Sequence, residues 1–353
     1  MARRKKPSFE DSSRECQENL IVRIFEVIDQ GPCGAAAIGL DMAAQEDNWG
    51  LCLLTLDADY RQGVLQLLLP HRAKLEGFSR HCPIKPSLTN LQDLLAGLRE
   101  RKITTAFAVD VPLGWPELHG DFTNDWSAMT GAKTELPSRD DFEYRMTDLL
   151  MKERLGANLF AVGADKIASA AFQWAKARTE LGSLIDTCDV GFGVSGDPLV
   201  TLFETYPAAF VRLNYGEWIK YKTADNTNET DESQTATELL RKPLLDRLLQ
   251  DYAIDTSRCE AHVQLSCTSP RSDAFDGLLS ALTAWDYLQW RRHADKSCTT
   301  TTPEAILGRK PNVQEIKQIE TEGWILTRTT PLPIRRATQD ILPDNHVTRE
   351  RAI

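Results

Sequence analysis

Ala35-Ala-Ala-Ile-Gly-Leu-Asp-Met42 is a short, nearly all-apolar run that carries one acid, Asp41, close to its end. A run of this length and composition, bounded by turn residues, reads as a strand buried on both faces of a sheet. The break before it is Gly31-Pro-Cys-Gly34. Two similar runs follow, Trp49-Gly-Leu-Cys-Leu-Leu-Thr-Leu56 and Gly63-Val-Leu-Gln-Leu-Leu-Leu69, separated by the turn-like residues 57–62. Three strands joined by short connections predict an antiparallel meander. Two later runs repeat the opening pattern. Thr105-Ala-Phe-Ala-Val-Asp110 is stopped by Pro112, Gly114 and Pro116, and Pro198-Leu-Val-Thr-Leu-Phe-Glu204 is followed by Pro207. Residues 20–28 are apolar and β-branched, and their pattern fits a strand or a helix.

Helical signals lie between and after these runs. Thr89-Asn-Leu-Gln92 reads as a capping box opening a helix to about Arg101. Ser138 is placed to cap a helix running through Leu149, Leu150 and Leu155. Further helices are expected at Ile167–Leu184, just after Pro207, at Leu239–Leu249 and at 303–308. The polar segment Thr223–Thr237 reads as a mobile surface loop. Ser272-Asp-Ala-Phe-Asp-Gly-Leu-Leu-Ser-Ala-Leu-Thr-Ala-Trp285 is the most informative helix. Phe275, Leu278, Leu279, Leu282 and Trp285 make a broad apolar face, and Gly277, Ala281 and Ala284 make a small-residue stripe. Asp273 and Asp276 sit near its N-terminus. Thr321–Leu326 suggests a closing strand or edge. The order predicts an α/β protein with a flexible arm at 1–18, a single domain at 19–330 and a loose tail at 331–353.

The 353 residues are 42% hydrophobic and 26% charged, with a formal net charge of -10. That balance excludes a protein coated in positive charge for tight sequence-independent nucleic-acid binding, though not a local basic groove. The basic cluster Arg3, Arg4, Lys5 and Lys6 reads as a solvated tail. None of the 8 cysteines forms a Cys-x-x-Cys pair or has a histidine at zinc-ligand spacing. Scattered thiols suit a reducing compartment. No apolar signal core follows the N-terminus and no apolar run reaches membrane-spanning length, so a cytoplasmic location and no membrane partner are expected.

Asp41, Asp110 and Glu204 each end a strand-like run, and Asp273 and Asp276 open a helix. Singly, each reads as a turn residue, a helix cap, a dipole partner or an ion-pair member. Together they suggest convergence at one sheet edge, where open α/β folds place their sites. Gathered carboxylates repel one another unless a cation sits between them. Oxygen-only ligation favours Mg²⁺ or Mn²⁺ over zinc. Two such ions, about 4 Å apart, can activate water and stabilise a leaving oxygen in phosphodiester hydrolysis.

Ile38-Gly-Leu-Asp-Met-Ala43, Val109-Asp-Val-Pro-Leu-Gly-Trp-Pro116, Arg145-Met-Thr-Asp148, Phe203-Glu-Thr-Tyr-Pro-Ala208, Asp273-Ala-Phe-Asp276 with the helix to Ala284, and Glu322-Gly-Trp-Ile325 occur in that order. In this order they resemble the domain of unknown function family number 429, a predicted nuclease family with a ribonuclease H-like fold. The resemblance spans about residues 35–326. It implies a five-stranded mixed sheet, the first three strands antiparallel, with helices on both faces. It also implies that Asp41 bridges the metal ions, that Asp110 is the fourth-strand acid, and that Asp276 is a ligand which Asp273 orients or supplements through water. Glu204 becomes a ligand or a supporting group. Arg145 becomes a phosphate clamp, or equally an ion-pair partner of Glu204 or Asp148.

The expected function is therefore a metal-dependent nuclease or phosphodiesterase using Asp41, Asp110, Asp276 and Glu204, with metal at Asp41, Asp110, Asp273 and Asp276. Its partner is a nucleic acid or nucleotide substrate. The alternative is a non-catalytic nucleotide, nucleic-acid or protein binding module on the same fold. A phosphohydrolase or kinase-like enzyme ranks below both, because no glycine-rich phosphate loop of the usual spacing is present.

Overall fold

The computed structural model describes residues 20–69, 86–116, 143–155, 165–192, 194–216, 220–222, 231–268, 272–292, 302–307 and 309–327. The arm at 1–18, the tail at 331–353, Ser138 and residues 223–230 lie outside these.

The chain opens with α1 (20–28), which resolves the strand-or-helix ambiguity in favour of a helix. β1 (Ala35–Asp41), β2 (Gly50–Leu56) and β3 (Gly63–Leu69) pair antiparallel in sequence order. After α2 (Leu88–Glu100), β4 (Thr104–Asp110) joins β1 in parallel. α3 (Met146–Leu155) and α4 (Asp165–Leu181) follow, then β5 (Thr187–Cys188) and β6 (Val200–Glu204). α5 (Pro207–Asn214) and α6 (Asp231–Asp251) precede β7 (Ile254–Asp255), α7 (Glu260–Thr268) and α8 (Asp273–Arg292). α9 (Pro303–Leu307) and α10 (Val313–Glu322) come last.

The result is a seven-stranded mixed sheet in the order β5-β6-β4-β1-β2-β3-β7. The expected count of five is corrected to seven by β5 and β7, edge strands of two residues each. Two residues are too few to carry a hydrophobic period, so such strands leave no sequence signal.

Strand alternation sorts the side chains onto two faces. On one face Ile38, Leu40, Leu53, Phe107 and Val109 pack with Ile24 and Phe25 of α1, Leu91 and Leu95 of α2, and Trp174 of α4. The opposite face carries Ala35 and Ala37 of β1 and Ala106 and Ala108 of β4. Gly39 continues that small-residue row. These residues form a shallow trench, and α8 lies in it across β1, β2 and β4. A Cβ at Gly39 would run into the backbone of Gly277 and Ala281, and one at Gly50 would run into the Asp273 carbonyl. A Cβ at Gly277 would stand 2.7 Å from the Gly50 carbonyl oxygen. The small-residue stripe of α8 thus meets glycines of the sheet directly. With α5 and α7 also against it, α8 is buried from Ala274 to Leu288. A helix enclosed on every side must be apolar around most of its circumference, which α8 is.

Several local expectations change. Ser87 caps α2, its hydroxyl accepting from the Asn90 N–H at 3.2 Å, so the helix starts earlier than Thr89 implied. The chain is helical from Asp231, so the surface loop cannot reach Thr237. Residues 321–322 end α10 and form no strand; the edge contact is a single parallel bridge between Ile325 and Glu204. α10, which the sequence expectations lack, is opened by a reciprocal capping box between Asn312 and Glu315. α7 is also absent from those expectations. No helix among the described residues is long and apolar enough to cross a membrane.

Candidate functional site

β1 and β4 are paired so that Asp41 stands directly opposite Asp110. Both residues continue the small-residue row of their strands, so both carboxyls belong to the α8 face. Neighbouring strands lie about 4.8 Å apart, which brings two acids of equal register close together. Gly50 is the antiparallel partner of Asp41 on the other side. Because Gly50 has no side chain, the first turn of α8 settles over it, and that turn carries Asp273 and Asp276 to the same strand ends.

Burial raises the Asp41 carboxyl well above its ordinary range, and the charges of Asp276, Asp110 and Asp273 raise it further. Asp110 is pushed up to about 7: burial is the main cause, Lys222 opposes it, and Asp276 and Glu204 add to it. These shifts express what the geometry implies, since carboxylates gathered away from water resist ionising together.

Asp276 is held by two neighbours that sequence reasoning did not single out. Tyr221 donates its hydroxyl to Asp276 Oδ1 at 2.6 Å. The Lys222 ammonium lies 2.9 Å from Asp276 Oδ2. The Asp276 side chain is 2% exposed and that of Lys222 is 43% exposed. Burial would lower the Lys222 pKa, but the carboxylates, Asp276 foremost, hold it well above the usual lysine value. The Tyr221 ring packs on Phe275 with centroids 5.6 Å apart, and its carbonyl accepts from Arg241 Nε at 3.1 Å. A tyrosine–lysine pair outside any regular element has no periodicity to announce it. Tyr206, two residues past the end of β6, is also within the field of Lys222, Asp110 and Asp276.

Glu204 does not join this group. It pairs in register with Val109, one residue short of Asp110, and alternation turns it to the other face. Arg145 Nη2 donates to its Oε1 at 2.6 Å and Arg145 Nη1 to its Oε2 at 2.7 Å. The Leu113 N–H donates to Oε2 at 2.9 Å. Glu204 is thus engaged by Arg145 and Leu113, on the opposite side of the sheet from the Asp41 group.

Arg145 is likewise no open phosphate clamp. Its side chain is 1% exposed. Nε donates to Asp148 Oδ2 at 3.0 Å, Nη2 to Asp148 Oδ1 at 2.9 Å, and Nη1 also reaches the Glu322 carbonyl at 3.1 Å. All three guanidinium nitrogens are engaged, so the ion-pair reading of this arginine is the one the structure adopts. Through these bonds the Arg-Met-Thr-Asp segment ties β6, α3 and the end of α10 together. The Met146 N–H to Glu322 Oε2 at 2.7 Å and the Ile325 N–H to Thr147 Oγ1 at 3.1 Å complete the tie.

Asp41, Asp110, Asp273 and Asp276 present only carboxylate oxygens, bear mutual repulsion, and already draw one ammonium among them. That donor chemistry suits a hard divalent cation. Among the described residues no three His, Cys, Asp or Glu side chains are drawn together closely enough to hold a metal ion. Holding one requires the carboxylates to close in, and Asp276 is the one turned toward Lys222.

Comparison with models of known families matches residues 87–303 to the family described as "Protein of unknown function (DUF429)". The match covers more than half of the chain, and the chain belongs to that family. The matched stretch includes Asp110, Arg145, Asp148, Glu204, Asp273 and Asp276; Asp41 lies before it. No curated protein and no solved structure matches the chain.

Proposed function

We propose that this protein is a metal-dependent phosphodiesterase of ribonuclease H-like architecture, acting on nucleic acid or nucleotides. The observation that carries the reading is the in-register pair Asp41 and Asp110 on one sheet face, met by Asp276 from α8. Antiparallel β1–β3, parallel β4 and a helix delivering a further acid are consistent with that architecture. Asp41, Asp110 and Asp276 would hold Mg²⁺ or Mn²⁺, which when bound supplies Lewis-acid activation of water and charge relief at phosphate. Asp273 supports them from the first turn of α8. Tyr221 fixes the rotamer of Asp276, and the glycine contacts between α8 and the sheet set how far Asp276 reaches. Arg145 and Glu204 maintain the neighbouring strand ends rather than touching substrate.

The test uses purified protein with Mn²⁺ and labelled single- and double-stranded DNA and RNA, alongside Asp41→Asn. Cleavage that needs the divalent ion and is lost in Asp41→Asn, with an unchanged melting profile, supports the reading. Equal cleavage by Asp41→Asn refutes it. A second reading, a binding module without catalysis, is favoured by Lys222, which already offsets part of the cluster's charge. Mn²⁺ that raises the melting temperature without any cleavage would select that reading.

A further inference from the structure

α7 carries one histidine, His262, and packs against α6, α8 and β3. Both imidazole nitrogens are shut away from water, and neither has a hydrogen-bond partner among the described residues. A neutral imidazole has one N–H to give and one bare nitrogen to fill. Leaving both unmet weakens the folded state, and an apolar side chain would avoid that cost. A buried polar group left so calls for a role other than packing.

A proton on this ring would add a second donor and a full charge where nothing accepts either. The ionisable groups around α7 are engaged elsewhere. On α6, Glu238 accepts from Gln264, Arg241 donates to Ser266, Lys242 pairs with Asp246, and Arg247 pairs with Asp251. On α8, Asp276 is held by Tyr221 and Lys222, Asp286 by Tyr252, and Asp273 lies in the field of Asp41. β3 carries no ionisable side chain. Beside His262 on its own segment stand the buried thiols Cys259 and Cys267, the exposed Glu260, and Arg258, which reaches Gln66. Burial alone lowers the His262 pKa from its ordinary 6.5.

A continuous set of bonds runs from α7 to the carboxylates. Ser266 lies one turn beyond His262, and its carbonyl accepts from Arg241 Nη1 at 3.1 Å. Arg241 Nε donates to the Tyr221 carbonyl at 3.1 Å, and the Tyr221 hydroxyl donates to Asp276 Oδ1 at 2.6 Å. Arg241 is fully buried, so a shift of α7 is felt at its Tyr221 end.

We propose that His262 is an acid-sensitive latch: proton uptake by its imidazole frees α7 from the core and, through Ser266, Arg241 and Tyr221, loosens the hold on Asp276. The folded-state value lies below the unfolded 6.5, so the stability this group supports is fully present above pH 6.5 and is lost as pH falls below it. The latch is closed at neutral pH and opens in mild acid. It needs no bound ion, and it stands or falls independently of the phosphodiesterase reading.

Hydrogen exchange read by mass spectrometry tests it on the whole chain, without added metal, from about pH 7.5 to about pH 5. After correction for the intrinsic pH dependence of exchange, wild-type protection over residues 260–268 should fall by up to about tenfold per pH unit below 6.5, until the folded-state value is passed. Protection at Tyr221 and Lys222 should fall with it. His262→Leu cannot take up a proton and should keep both segments protected across the range. His262→Gln, which retains a polar side chain but does not titrate, should do the same and serves if the leucine variant folds poorly. Wild-type protection that falls over 260–268 but not at Tyr221 breaks the link and overturns the latch. Protection that stays flat in wild type, or that falls equally in wild type and a folded variant, overturns the role of His262.

Discussion

Alanine at Gly277 should destabilise this protein, although the position lies inside a helix. In an ordinary helix the change is favourable by about 1 kcal/mol, because glycine is the more costly residue there. Here the added Cβ would lie 2.7 Å from the Gly50 carbonyl oxygen, 2.9 Å from the Gly50 carbonyl carbon and 3.3 Å from the Leu51 nitrogen. All three are backbone atoms of β2, so no side-chain rotation makes room. Restoring ordinary contact requires α8 to lift by about 0.7 Å, and overpacking of this kind costs about 1–3 kcal/mol. The clash and the propensity gain oppose each other, and because all three contacts are with backbone the clash wins, by up to about 2 kcal/mol. For a chain of this size that is a fall in melting temperature of up to about 3 °C. Gly39→Ala should fall further, since its Cβ would run still more deeply into Gly277 and Ala281. Gly31→Ala is the control: its nearest neighbour would be 4.0 Å away. Thermal melts monitored by circular dichroism decide it. If Gly277→Ala melts at or above wild type, α8 does not sit against β2 as described and the placement of Asp276 loses its support. A lifted α8 should also weaken any stabilisation by Mn²⁺, because Asp276 rides on it.

Arg145→Met should leave Glu204 and Asp148 buried without their shared partner, at a cost of about 3–5 kcal/mol. Urea unfolding should show a clearly lower midpoint, and an unchanged midpoint would argue that the ion pair is dispensable. Asp110 supplies a pH signature. Its folded-state value is raised to about 7 from 3.8, mainly by burial, so between those values the folded protein keeps a proton that the unfolded chain has lost. The stability from this group is fully present below about pH 4 and is lost as pH rises through 7. The amide of Asp110→Asn cannot ionise, so the stability of that variant relative to wild type should rise from pH 4 to about pH 7 and then level off. Melts in chelator across pH 4–8 would show this, and a difference that does not vary with pH would rule it out.

The strands were legible because apolar runs of six to eight residues ending in Gly, Pro or an acid have few other readings. The stripe Gly277, Ala281 and Ala284 was legible as a close-contact surface for the same kind of reason: small side chains at helical spacing serve little else. β5 and β7 carry no periodic signal, whereas α10 does carry one, the capping box of Asn312 and Glu315.

The sequence alone determined that acids stand at the ends of three buried strands and at the start of an apolar helix, because composition and period are local properties. Which acids meet was decided by register and by strand parity, and both are set by partners remote in the chain. Asp41 and Asp110 share a register and a face, while Glu204, one step out of phase, turns away to Arg145. The partner of Asp276 was likewise beyond reach. Lys222 is a polar residue in an irregular segment, and only the packing of Tyr221 against Phe275 and Arg241 brings its ammonium to the carboxylates.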